Sequence, residues 1–90
     1  MENIQFTVTA AEGLHARPTT VLVSTAAAFT STIEIIYAGK RSNIKSILAV
    51  MSLGVPTNAD VEIEINGADE VAAKAKLVAA ISDLELGTIN

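Results

Sequence analysis

The chain has 90 residues, half of them hydrophobic and 18% charged, with a formal net charge of −4. That is enough apolar material for one core and too little chain for two, which excludes a disordered segment and a multidomain protein and leaves a single domain over residues 1–90. The absence of Cys excludes disulfides, thiolate metal sites and cysteine nucleophiles, and an acidic chain with 3% aromatics lacks the basic stripe and stacking rings of a nucleic-acid binder.

Ile4, Phe6 and Val8 alternate with Asn3, Gln5, Thr7 and Thr9, which predicts a strand over 2–9 with one buried face. Gly13 breaks the alternation. Pro18 then stands near the start of a run in which Val21, Leu22, Thr25, Ala28 and Phe29 recur at helical spacing, so a first helix is expected over about 16–28. Residues 32–37 are β-branched and aromatic, Ala38-Gly39 turns the chain, and Lys40 to Ile44 returns as an edge strand. Ser46 opens a short helix through Leu53, closed by Gly54 and Pro56. Val61, Ile63 and Ile65 alternate with Asp60, Glu62 and Glu64 as a fourth strand. Asp69 is placed to cap a last helix over most of 70–86, with Gly87 as its stop. The order β-α-β-β-α-β-α with half-polar strands predicts an α+β fold, an antiparallel sheet wet on one side and roofed by helices on the other.

No window reaches the roughly 20 apolar residues of a membrane span, and Met1-Glu2-Asn3 lacks the layout of a secretion signal. A cytoplasmic protein without membrane insertion is expected. Charge is unevenly placed: the part up to Asn58 is mildly basic, and the part from Ala59 onward is acidic.

A lone His in a small protein is most often a surface or core residue without a task. The context of His15 is different, because Gly13-Leu14-His15-Ala16-Arg17-Pro18 sets it at the mouth of a helix whose first amides have no internal partner. Ala16 offers no side-chain cap to compete for those donors, and Pro18 gives up an N–H that the helix does not need. An anion site is therefore expected there. Arg17 adds a guanidinium suited to phosphate oxygens. A nucleophilic imidazole beside such a cradle has the parts of a phosphohistidine carrier.

Ser46 has an ordinary reading as a helix cap and a second as a phosphorylation site, where added charge would meet the helix dipole favourably. The apolar run Ile47 to Val55 exceeds what a two-turn helix buries on one side. Its surplus is either extra core or a docking patch of Leu14, Ile47, Leu48 and Met51. Glu62, Glu64, Asp69 and Glu70 read as a solvated acidic face.

Together, Gly13-Leu14-His15-Ala16-Arg17-Pro18 and Lys45-Ser46-Ile47-Leu48-Ala49-Val50-Met51-Ser52-Leu53-Gly54-Val55 resemble the HPr family, the histidine-containing phosphocarriers of the bacterial sugar phosphotransferase system. The similarity covers essentially the whole chain, including Phe29 and the Gly67-Ala68-Asp69-Glu70 turn. It implies an open-faced β-sandwich with four antiparallel strands in the order 1-4-2-3 and three helices on one face. It also implies that His15 takes a phosphoryl group on Nδ1 from enzyme I, charged by phosphoenolpyruvate, and passes it to the IIA domains of sugar permeases. Arg17 and the Ala16 amide would steady the group. Ser46 would be the target of HPr kinase/phosphorylase, creating a corepressor for catabolite control protein A. Leu14, Thr20, Ile47, Leu48 and Met51 would form the partner-docking surface of a monomer with no cofactor, no metal and no turnover chemistry of its own.

Several positions depart from the family pattern. Thr19 stands where Ala is usual, Ala49 where Gly is common, and Val55-Pro56-Thr57-Asn58 replaces a Gly-rich loop. Glu12 places a carboxylate three residues before His15, where as a like charge it should oppose a bound phosphoryl group. Leu86-Gly87-Thr88-Ile89-Asn90 matches no family pattern and is assigned no element. Two other readings stand beside the carrier: a paralogue of the nitrogen-related branch, against which the Lys45-Ser46-Ile47 segment argues, and a regulatory binding module, against which His15 argues.

Overall fold

Alternation of apolar and polar side chains decides the sheet. The computed structural model describes residues 1–90 and contains β1 (Glu2–Val8), α1 (Ala16–Ala27), β2 (Thr32–Tyr37), β3 (Lys40–Asn43), α2 (Ile47–Met51), β4 (Asp60–Asn66), α3 (Glu70–Asp83) and β5 (Gly87–Ile89). Ile4, Phe6 and Val8 of β1, Ile33 and Ile35 of β2, and Val61, Ile63 and Ile65 of β4 point to one side and are buried. Each such side chain contributes about 1.5–3 kcal/mol through its removal from water. Leu22 and Ala26 of α1, Val50 of α2, and Ala73, Leu77 and Ile81 of α3 close the same core from above, while Gln5, Glu34, Glu62 and Glu64 stay on the open side. None of these helices is long and apolar enough to cross a membrane.

The sheet is antiparallel in the order β3-β2-β4-β1-β5. The first four strands have the expected neighbours; the fifth is a correction. Glu85 adopts the left-handed conformation at φ 51° just past α3, and the Leu86 amide donates back to the Ile81 carbonyl at 3.0 Å. That is a Schellman ending with Glu in place of the usual Gly, and it stops the helix short of the expected 86. Leu86, fully buried, then directs Gly87–Ile89 alongside β1. Gly87 thus serves close strand approach and not helix termination, since a Cβ there would collide with the Thr7 carbonyl oxygen.

The β2–β3 hairpin turns on Ala38 and Gly39, both at positive φ (52° and 79°), as a two-residue turn of the primed type requires. Val21 leaves the expected apolar face of α1 and is exposed; Val23 and Ala26 take the buried positions instead.

The members of the expected solvated acidic face are all partly exposed, and each also has a partner. Glu62 accepts from Asn3 at 2.9 Å, and Glu64 pairs with Arg41 at 2.7 Å, which holds its carboxyl below the ordinary value. Glu70 accepts the Gly67 amide at 3.1 Å. Asp69 occupies the N-cap position before α3 but makes no side-chain cap bond to that helix. Its carboxylate instead accepts from the side chain and amide of Ser31 and from those of Thr30. The Ser31 hydroxyl, followed by the Thr30 amide, draws the Asp69 pKa down to about 2.

Candidate functional site

The β1–α1 loop is held by its glycine. Gly13 has φ +68°, and a Cβ there would collide with the Val55 carbonyl oxygen and lie 2.9 Å from the Pro56 backbone. The next amide, Leu14 N–H, donates to that Val55 carbonyl at 3.0 Å. Leu14 turns its side chain into the core, 6% exposed. Leu14 therefore anchors the loop and does not join the docking patch in which it was expected.

With its predecessor pinned inward, His15 takes the N-cap position of α1 (φ −84°, ψ 178°) and keeps its side chain 41% exposed. It makes no side-chain cap bond. The Ala16 and Arg17 amides have no acceptor, Pro18 has no N–H, and the first occupied amide is that of Thr19, bonded to the His15 carbonyl at 3.2 Å. Two open donors thus project from the positive end of a twelve-residue helix, beside the imidazole. The Arg17 side chain is exposed and enters no ion pair or hydrogen bond. Ala11, Glu12, His15, Ala16, Arg17, Thr20 and Val21 line one open groove. Of these, Ala11 and Val21 were not expected; exposure of Val21 was hidden by its helical spacing with Leu22 and Thr25. The Thr20 hydroxyl bonds the Ala16 carbonyl at 2.8 Å and holds the wall of the groove.

The two ring nitrogens of His15 have different surroundings. Nδ1 lies 3.3 Å from the Gly13 carbonyl oxygen, and Nε2 lies 3.7 Å from Glu12 Oε2.

Ser46 is the N-cap of α2, its Oγ accepting the Ala49 amide at 3.2 Å. Beside it, Lys45 Nζ donates to the Phe29 carbonyl at 2.7 Å, just beyond the C-terminal end of α1, where a cation is favourable. α2 packs on α1, the helix that His15 caps. Leu48 is 83% exposed, with Ile47 and Met51 at 41% and 37%, while Val50 faces the core. Three large apolar side chains thus remain uncovered on a five-residue helix, which resolves the surplus of the apolar run in favour of exposure.

A family model described as the PTS HPr component phosphorylation site matches residues 3–83. Among solved structures, the histidine-containing phosphocarrier protein of a mycoplasma superposes with a TM-score of 0.94 at 33% identity, over 97% of this chain and 99% of the other. HPr from Thermoanaerobacter tengcongensis gives 0.86 at 37% identity, over 92% and 93%. The phosphocarrier protein HPr of Bacillus anthracis gives 0.79 at 34%, over 88% and 94%.

Proposed function

The chain belongs to the HPr phosphocarrier family, and from that membership we propose that it carries a phosphoryl group on His15 between phospho-enzyme I and the IIA domains of sugar permeases. The observation that supports this reading most is the pairing of an exposed imidazole with the unoccupied amides of Ala16 and Arg17. In the forward step the Nδ1 lone pair attacks phosphorus in line, the new N–P bond forms, and the bond from phosphorus to phospho-enzyme I breaks. The two amides and the Arg17 guanidinium hold the phosphoryl oxygens, offsetting charge where it is carried. Transfer onward reverses these roles. No bond is made or broken except at phosphorus, so the protein is a substrate of its partners and has no turnover of its own.

The exposed Leu48, Ile47 and Met51, with Thr20 at the rim of the groove, form the partner-docking surface. Ser46 adjoins that surface, and its phosphorylation by HPr kinase/phosphorylase would act on docking to enzyme I and to catabolite control protein A more than on the fold. These partners place the protein in the cytoplasm. The test is incubation with enzyme I and phosphoenolpyruvate, followed by a search for an acid-labile, base-stable phosphate. The label is expected on the wild-type chain and lost in His15→Ala; a label that survives in His15→Ala contradicts the assignment.

A further inference from the structure

The imidazole of His15 has an acceptor on each side. A neutral ring carries one N–H, so the Gly13 carbonyl facing Nδ1 and the Glu12 carboxylate facing Nε2 compete for one proton. The competitors are unequal. The Gly13 carbonyl already accepts the His15 backbone amide at 3.0 Å, whereas the Glu12 carboxylate has no other partner and bears a charge. Bonds to charged acceptors are roughly twice as strong as neutral ones. As the side chains stand, only the Nδ1–Gly13 contact at 3.3 Å is within hydrogen-bond distance; Glu12 Oε2, 3.7 Å from Nε2, lies beyond it, but its side chain is 76% exposed and free to rotate into contact.

We propose that Glu12 is a positioning residue, which holds the ring proton on Nε2 and thereby leaves the Nδ1 lone pair as the nucleophile. The inference rests on the carrier reading above. Attack by Nδ1 on phosphorus turns the ring into an Nε2-protonated cation, and Glu12 faces that developing charge as the triad carboxylate of acyl transfer faces the imidazolium formed on its general-base histidine. In the return step the N–P electron pair goes back to Nδ1 and a neutral imidazole leaves. Glu12 lies on the Nε2 side, across the ring from the phosphorylated atom. Its influence on the ring stands beside the weak repulsion of a bound phosphoryl group expected from its charge.

Two readouts on Glu12→Ala and Glu12→Asp test this. In the free protein at about pH 8.5, well above the ordinary imidazole range, two-bond proton–nitrogen spectra report which ring nitrogen bears hydrogen. The wild-type chain is expected in the Nε2–H form, with Glu12→Ala shifted toward Nδ1–H and Glu12→Asp between them. Phosphoramidate then serves as a donor that needs no docking surface: the Nδ1–P bond forms as the P–N bond of phosphoramidate breaks and ammonia leaves. The rate is expected to fall roughly three- to tenfold in Glu12→Ala and to recover in part in Glu12→Asp, the size reflecting an exposed, screened carboxylate. An unchanged tautomer in Glu12→Ala, or faster phosphorylation, overturns the proposal. A wild-type chain that shows the Nε2–H form yet accepts no phosphoryl group contradicts the carrier reading instead, and leaves the Glu12–His15 pairing standing.

Discussion

The amide of Leu14 donates to the carbonyl of Val55 at 3.0 Å, and this bond ties the loop that presents His15 to the segment leaving the helix that Ser46 caps. Gly13 makes the approach possible, because any side chain at that position would enter the Val55–Pro56 backbone. Gly13→Ala is accordingly expected to lose about 2–4 kcal/mol of stability through left-handed strain and forced displacement of the 55–56 backbone. Urea unfolding measures it, and phosphoryl acceptance should slow in parallel as the His15 loop shifts.

Ser46 separates capping from signalling. Ser46→Ala removes the bond to the Ala49 amide and is expected to cost about 1 kcal/mol. Ser46→Asp keeps a capping oxygen, so its thermal unfolding curve should stay near wild type while acceptance from phospho-enzyme I slows. Equal loss of stability in the two variants, with acceptance unchanged in Ser46→Asp, would leave Ser46 with a capping role alone.

Asp69 fixes the acid limb of the stability curve. Its folded pKa of about 2 lies below the ordinary 3.8, so the fold favours the carboxylate; the contribution is complete above pH 3.8 and is lost as pH falls toward 2. Unfolding followed from pH 5 to about pH 1.5 should show a decline in that window which Asp69→Asn flattens, with lower stability for the variant above it.

Thr19 is buried with no partner for its hydroxyl. Thr19→Val keeps the shape and removes the unpaired group, and is expected to raise stability by about 1 kcal/mol in the same unfolding assay.

Much of this arrangement was legible in the residues themselves. The period-two runs marked β1 and β4, the β-branched and aromatic composition of 32–37 marked β2, Ala38-Gly39 marked the hairpin, and the uncapped start at Ala16 marked the open amides, because each depends on neighbours a few positions away. What escaped depends on distant partners. β5 is three residues long and exists because β1 offers an edge and Leu86 finds the core. Glu85 in the left-handed conformation breaks the preference for glycine that made Gly87 look like the helix stop. Asp69 occupies a capping position, yet Ser31, 38 residues earlier, claims its carboxylate. Leu14 is buried because its amide is pinned to the Val55 carbonyl, a partner 41 positions away, and Val21 is exposed because Leu22, Val23 and Ala26 take the core side of α1. The spacing of Glu12 and His15 showed proximity, but not which ring nitrogen the carboxylate meets.

The most direct test of the central claim reads the amides themselves. On phosphorylation by enzyme I and phosphoenolpyruvate, the backbone N–H resonances of Ala16 and Arg17 should move strongly downfield, and the phosphorus signal should couple to Nδ1 of His15. A phosphate attached elsewhere, or Ala16 and Arg17 amides that do not respond to it, would contradict the account.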